Sequence, residues 1–121
     1  MSAFADLRSA PAREVAPGVV VRGIHGEQES LALVEFAPGA TVPEHQHANE
    51  QLGFVIEGSL DFEIAGERRT LGCGETWTIP GGVPHVASAG PDGAVIVEAF
   101  TPARTDWEKL AVLPDATHRW P

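Results

Sequence analysis

The chain has 121 residues, of which 43% are hydrophobic and 21% are charged, and its formal net charge is −9. This length is typical of a single domain that buries one core, and the composition excludes an intrinsically disordered chain. The acidic balance argues against nucleic acids and anionic membranes as partners, because phosphate groups are bound by basic surfaces.

The chain contains a single cysteine, Cys73. The sequence therefore excludes an internal disulfide and a cysteine-based metal cage. The first residues lack the apolar segment and cleavage site of a signal peptide, and no run approaches the ~20 apolar residues that cross a bilayer. We therefore expect a cytoplasmic protein with no membrane partner.

Most of the chain is predicted to form strands. Residues 1–18 are polar and rich in alanine and proline, which predicts a loosely held N-terminal arm. The predicted domain extends over residues 19–113, and residues 114–121 form a predicted tail. Within the domain, seven short runs rich in β-branched and aromatic residues alternate with glycine and proline turns, which is typical of an antiparallel sandwich or small barrel. These runs are 19–22, 30–36, 51–57, 59–65, 75–80, 84–89 and 94–100.

One segment near the C-terminus, residues 105–112, has a helical pattern instead. Its apolar side chains follow an i, i+3, i+4 spacing, and Thr105 or Asp106 is placed to cap its first turn. We therefore predict an all-β fold with one short C-terminal helix.

A candidate metal site lies in the segment PEHQHANEQ, residues 43–51. Side chains two residues apart on a strand point to the same face, so His45 and His47 converge, and Gln51 has the same parity. His85 follows a glycine- and proline-rich turn that aims an imidazole inward. Three imidazoles suit zinc, nickel, copper, iron or manganese. The alternative is that these are surface histidines near loop ends.

Two segments around these histidines resemble the two motifs of the cupin family. The first motif has glycine, five residues, His-x-His, three or four residues, glutamate, six residues and glycine, and residues 39–58 (GATVPEHQHANEQLGFVIEG) match it. Residues 74–89 (GETWTIPGGVPHVASA) match the second motif. Two positions depart from the family pattern: Gln51 replaces a glutamate and Ala89 replaces an asparagine.

The resemblance implies a jelly-roll antiparallel β-barrel and a homodimer. It also implies one divalent transition metal per chain, such as zinc, nickel, manganese or iron, bound by His45, His47, Gln51 and His85. Phe54 has the parity opposite to Gln51 and, like Ile56, is expected on the outer side of its strand. If nothing in the monomer covers them, these two side chains belong to the dimer surface.

The neutral amide of Gln51 affects the chemistry expected at this site. A carboxylate would reduce the charge of the metal, whereas three imidazoles and an amide leave the full +2 on the ion. That favours a Lewis acid that polarises a substrate oxygen, and it disfavours cycling to a +3 state. Glu50 is adjacent and would substitute only if the strand bulges, because by parity it points the other way.

A second constellation lies on the last predicted strand and the turn after it. Glu98 and Phe100 share a face, and Arg104 follows. If this strand lines the barrel, the face supplies a carboxylate, an aromatic wall and a guanidinium near the metal. The alternative is that Phe100 is core, Arg104 is a surface or dimer contact, and Glu98 pairs with Arg104.

The second constellation resembles that of small cupins of the KdgF type, which act on unsaturated uronates from pectin and alginate breakdown. Those proteins carry Asp-x-Phe-x3-Arg on this strand, and the resemblance implicates Glu98, Phe100 and Arg104 as active-site residues. Glutamate in place of aspartate adds one methylene to the proton-transfer group.

We therefore predict a metal-dependent, non-redox enzyme that opens or isomerises a small oxygenated substrate such as an unsaturated uronate. The metal would hold vicinal oxygens of the substrate, Arg104 its carboxylate, and Glu98 would move a proton while Phe100 shapes the pocket. A metal-dependent dioxygenase, a polyketide cyclase and a non-catalytic small-molecule-binding module remain as alternatives.

Overall fold

The computed structural model describes residues 2–121, which form eight β-strands and two short 3-10 helices. Among these residues, no helix is long and apolar enough to cross a membrane. The 3-10 helices are Leu7–Ser9 and Thr105–Lys109. The strands are β1 (Arg13–Ala16), β2 (Val19–His25), β3 (Ser30–Phe36), β4 (Thr41–His45), β5 (Glu50–Ile64), β6 (Glu67–Leu71), β7 (Thr76–Ile79) and β8 (His85–Thr101).

Every strand pair is antiparallel, and β5 and β8 are the two long central strands. The strand order is β1-β2-β3-β8-β5-β6, with β4 also paired to β8 and β7 also paired to β5. Because β5 and β8 each pair with strands on several sides, the sheet wraps around a buried apolar core. This architecture confirms the predicted all-β antiparallel fold.

The two long strands each combine two of the predicted short ones. The predicted run 51–57 and residues 59–64 of the next run lie together in β5, and the break expected at Gly58 is a register shift within one strand. Gly58 has a φ of 75°, and a Cβ atom there would lie 2.1 Å from the Gly93 carbonyl oxygen. The glycine therefore lets β5 bend against β8 without ending the strand.

The predicted C-terminal helix is wrong in type and length. Residues 105–109 form a 3-10 helix, and Leu110 at its end is extended. Arg104, not Thr105 or Asp106, is the N-cap residue, and it makes no side-chain capping bond. The Asp106 carboxylate instead accepts hydrogen bonds from the Arg104 side chain.

A segment from each terminal region of the chain contacts the sheet. Part of the predicted arm is β1, which pairs with β2. At the other end, Glu35 Oε2 accepts the backbone N–H groups of Arg119 and Trp120, both at 2.9 Å. Glu35 Oε1 accepts a bond of 3.1 Å from the buried Arg22. The buried ion pair thus anchors the last residues of the predicted tail to β3.

An apolar area remains exposed on the outer side of the sheet. We call it the outer patch, and it consists of Leu31, Leu52, Phe54, Val97 and Ala99. These residues are cross-strand neighbours on β3, β8 and β5, and the three larger side chains are 43–47% exposed. Phe54 therefore points outward as predicted.

Ile56, by contrast, is half-buried, because the pairing of β5 with β8 shifts between Val55 and Glu57 and interrupts the alternation of faces.

We propose that the outer patch is the contact between two copies of the chain. Chains with a net charge of −9 repel one another, so they associate most favourably through an uncharged apolar face. Light scattering coupled to gel filtration should give twice the mass of one chain for the wild type and the mass of a single chain for Leu52→Glu. Val112→Glu is the control, because Val112 is 48% exposed outside the outer patch. A monomeric wild type, or a dimeric Leu52→Glu variant, would contradict the proposal.

Candidate metal centre and active site

Three histidines meet at one end of the barrel. His45 ends β4 and is the register partner of His85 at the start of β8, while His47 lies in the turn after β4. Their ring centroids are 4.2 to 5.6 Å apart. One nitrogen from each ring lies within 4.8 Å of the other two, a spacing at which the three side chains could hold a metal ion.

The backbone determines which nitrogen of each ring carries the proton. The Nδ1 atoms of the three histidines lie 2.8 to 3.0 Å from the carbonyl oxygens of residues 43, 49 and 83. A carbonyl oxygen only accepts hydrogen bonds, so each Nδ1 must carry the proton and donate it. In the neutral ring the lone pair is then on Nε2, which is the arrangement found in metal-bound histidines.

The buried His85 ring has one nitrogen that no other group of the described residues pairs with. His85 is buried, and within residues 2–121 its Nε2 atom has no hydrogen-bond partner. Burial, with the positive charge of neighbouring groups, lowers the pKa of His85 to about 4, so the ring is neutral near pH 7. A buried nitrogen with a free lone pair is unfavourable unless a cation or a donor occupies the space beside it.

Gln51 adds a fourth neutral atom that could ligate a metal, its amide oxygen, to the three imidazole nitrogens. Its amide nitrogen donates to the Glu98 carboxylate, which turns the amide oxygen toward the histidines. That oxygen lies 3.0 Å from His47 Nε2. Because His47 Nδ1 already carries the ring proton, two acceptor atoms face each other there. A bound cation removes this repulsion, so the donor atoms present fit a metal ion.

Glu98 is a buried carboxylate beside this donor set. Its Oε2 atom accepts a hydrogen bond from Gln51 and one of 3.0 Å from the indole nitrogen of Trp77. Burial raises the pKa of Glu98 to about 7, although the two hydrogen bonds and Arg104 oppose the shift. A carboxyl group that titrates near neutral pH is suited to taking up and releasing a proton.

Gly53 makes the bond between Trp77 and Glu98 possible. It is the cross-strand neighbour of both residues, on β7 and β8 respectively. A Cβ atom at Gly53 would lie 2.5 Å from the Trp77 ring. The absence of a side chain at this position lets the indole lie across β5 and reach the carboxylate.

Arg104 lines the same cavity as Glu98. Its guanidinium carbon is 4.8 Å from the centroid of the Phe100 ring and 4.5 Å from that of the Trp107 ring. Two of its N–H groups donate to the Asp106 carboxylate at 2.9 and 3.0 Å. Arg104 therefore pairs with Asp106, and not with Glu98 as the structural alternative supposed.

These groups open into one cavity of about 370 Å³. Its polar end includes His45, His85, Gln51, Glu98 and Arg104. The remaining wall is apolar and is formed largely by core side chains of β2, β3 and β8. A volume of this size holds a small organic molecule.

The structure brings together all seven residues predicted to form the site. Six of them line the cavity, and His47 contacts Gln51 beside it. Glu50 is exposed, as its parity predicted. The sequence reasoning missed Trp77, Asp106 and Trp107 as site residues. The glycine within the apolar run 51–57 was the available signal for Trp77, since it marks a close approach of another group.

The chain is similar to known proteins in sequence and in fold. A family model described as the cupin domain matches residues 32–100. The pectin degradation protein KdgF of Dickeya dadantii (strain 3937) is 31% identical over 78 residues, 64% of this chain and 71% of that protein. The solved structure of KdgF from Halomonas sp. has a TM-score of 0.79 at 28% identity, and the match covers 88% of this chain and 98% of that chain.

A relative of another kind is the HTH-type transcriptional regulator PuuR of Escherichia coli (strain K12). It is 32% identical over 91 residues, which are 70% of this chain and 49% of the regulator. This chain therefore spans about half the length of that relative.

The raised pKa of Glu98 predicts how the stability of the metal-free protein depends on pH. The folded protein holds the Glu98 proton more tightly than the unfolded chain, whose value is 4.5. The contribution of Glu98 protonation to the free energy of unfolding is therefore fully present below pH 4.5 and is lost as the pH rises through about 7. The loss amounts to about 3 kcal/mol. Glu98→Gln should lack this loss.

The measurement is urea unfolding of chelator-treated wild type and Glu98→Gln between pH 4.5 and 8. Since His85 titrates in both proteins, the difference between their free energies of unfolding isolates Glu98. A difference that does not change across this range would show that Glu98 titrates normally.

Proposed function

Because the chain belongs to the cupin domain family, we propose that it is a metal-dependent, non-redox enzyme that opens or isomerises a small oxygenated carboxylate, such as an unsaturated uronate. The observation that carries the proposal is one cavity that contains a convergent neutral donor set, a carboxyl group with a pKa of about 7 and an arginine. Substrate binding, proton transfer and charge stabilisation are all supplied within this space.

We propose His45, His47, His85 and Gln51 as the ligands of one divalent transition metal per chain. With four neutral ligands, the bound ion would keep its full charge and act as a Lewis acid toward substrate oxygens. The hydrogen bond from Gln51 to Glu98 keeps the amide oxygen directed toward the histidines.

Glu98 is the proposed proton-transfer residue. A cyclic hemiacetal opens when its hydroxyl proton is removed and its ring oxygen is protonated. In an unsaturated uronate this releases an enol, which loses its vinyl group when the enol gives up its O–H proton and a proton is added to the neighbouring carbon. One carboxyl group can perform both ring-opening transfers in turn, provided that its pKa lies near the working pH. Burial places the pKa of Glu98 at about 7, and the Trp77 indole holds the carboxylate in position.

Arg104 is the proposed binding group for the substrate carboxylate. A guanidinium binds a carboxylate through two parallel hydrogen bonds, which fixes the orientation of the substrate as well as its position. Phe100 packs against the guanidinium and against His47, with 5.9 Å between the two ring centroids, so it forms the wall between the two binding groups.

The uronate class is proposed from the likeness to KdgF of Dickeya dadantii, which is named a pectin degradation protein and whose match covers 64% of this chain. A second candidate is the cyclisation of a polyketide-like substrate, which is favoured by the apolar wall of the cavity. A dioxygenase is less consistent with the neutral ligands, because a carboxylate would help to stabilise a +3 ion.

A third possibility is a binding module without turnover, as the likeness to the regulator PuuR suggests. Consumption of a bound substrate would distinguish an enzyme from such a module.

The first test follows an unsaturated uronate monomer by proton NMR, with metal-loaded protein, with chelated protein and without protein. Faster loss of the vinyl signal is expected only with the metal-loaded protein. Equal rates in all three samples would overturn the uronate proposal and direct the search to polyketides and cyclic diketones.

Substitution of Arg104 tests its place in the mechanism. Arg104→Gln should lower kcat/KM by about 10- to 100-fold, the effect of losing hydrogen bonds to a charged group, while the metal content is unchanged. Arg104→Lys should recover only part of the activity, because an ammonium cannot form the two parallel bonds. Full activity in Arg104→Gln would remove Arg104 from the mechanism.

A further inference from the structure

Arg104 has more hydrogen-bonding capacity than its pairing with Asp106 uses. A guanidinium carries five N–H groups in one plane, arranged along two edges that can each bind a carboxylate. The Nε and Nη2 atoms form one edge, and they donate to the two carboxylate oxygens of Asp106. The second edge, Nη1 with the other Nη2 hydrogen, is left for another acceptor.

The two partners of this ion pair lie on opposite sides of the cavity wall. The Arg104 side chain is 11% exposed and lines the cavity, whereas the Asp106 side chain is 62% exposed and is not part of the lining. Asp106 therefore holds the edge of the guanidinium that faces solvent. Because Arg104 lines the cavity and Asp106 does not, the remaining edge is the one available to the cavity that His45, His85 and Glu98 also line.

Aromatic rings and the backbone restrict the guanidinium further. Trp107 and Phe100 both pack against it, and their rings contact each other edge-on, with 5.0 Å between the centroids. The backbone N–H of Arg104 donates to the buried Ser30 hydroxyl at 2.8 Å, which fixes the start of the turn. A cation held by a carboxylate and two aromatic faces has few alternative rotamers.

We propose that Asp106 and Trp107 are positioning residues that hold Arg104 with its Nη1–Nη2 edge directed at the substrate carboxylate. Asp106 keeps its two bonds to Arg104 while the substrate is bound, and it does not touch the substrate itself. This inference rests on the proposed function, because it assigns the second edge to a carboxylate-bearing substrate.

The opposite model makes a different prediction. If Asp106 occupies the Nε–Nη2 edge of Arg104 only while no substrate is bound, the substrate carboxylate displaces Asp106 and binds to that edge. Removal of the Asp106 charge would then strengthen substrate binding, whereas loss of a positioning residue weakens it.

The experiment records the side-chain N–H signals of Arg104 by nitrogen-15 NMR in zinc-loaded protein. The probe is D-glucuronate, a saturated uronate with a carboxylate but no vinyl group. We expect the Nη signals to shift on titration, while the Nε–H signal stays in slow exchange with water because Asp106 still accepts its proton. The signals are assigned by their loss in Arg104→Lys.

Variants at Asp106 provide the second measurement. In Asp106→Asn the Nε–H should exchange faster, and the dissociation constant for glucuronate should rise about 10-fold, as expected for a weakened charge-assisted pair. Asp106→Glu should restore part of the affinity, because it keeps the charge. Glu108→Gln is the matched control, since it removes an acidic side chain from the same turn without touching the Arg104–Asp106 pair.

Three outcomes would overturn the inference. They are loss of the Nε–H signal on glucuronate binding, no response of the Nη signals at saturating glucuronate, and a glucuronate affinity in Asp106→Asn equal to that in Glu108→Gln. Turnover of the unsaturated uronate is measured separately. If wild type binds glucuronate as expected but turns over no unsaturated uronate, the proposed reaction fails while the positioning of Arg104 stands.

Discussion

The site depends on three hydrogen bonds from imidazole N–H groups to backbone carbonyls. They fix the protons of His45, His47 and His85 on Nδ1, so three Nε2 lone pairs point into one space. Lone pairs that converge in this way, one of them buried without a partner, are unfavourable unless a cation binds between them. The geometry of β4, of the turn after it and of the turn before β8 therefore determines where the metal would bind.

A second layer of contacts extends from this donor set. Gln51 connects the histidines to Glu98, and the Trp77 indole donates to the same Glu98 oxygen as the Gln51 amide. Burial of a carboxylate among an amide, an indole and apolar side chains destabilises its charged form, which raises the pKa of Glu98 to about 7. The same burial that supplies a proton-transfer group near neutral pH also lowers the stability of the metal-free fold.

Much of the fold and of the site follows from local sequence rules. The period of two along a strand places Glu98 and Phe100 on one face of β8, because this rule acts within a single strand. The run 30–36 coincides with β3 for the same reason. By contrast, His47 lies beyond the end of β4, so the turn, and not the strand period, brings it beside His45. Asp106 was interpreted as a helix cap, because its partner depends on how the turn after β8 folds back over Phe100. Neither Trp77 nor the joining of two runs into β5 was predictable locally, since both depend on contacts across strands.

The central claim is that one metal ion is bound by the Nε2 atoms of three histidines and the amide oxygen of Gln51. Anomalous diffraction from a crystal soaked in a zinc salt tests it most directly. The account predicts one strong peak at about 2.0–2.2 Å from the Nε2 atoms of His45, His47 and His85 and from the Gln51 amide oxygen. A peak bound through Nδ1, a peak elsewhere, or no peak at these residues would contradict it.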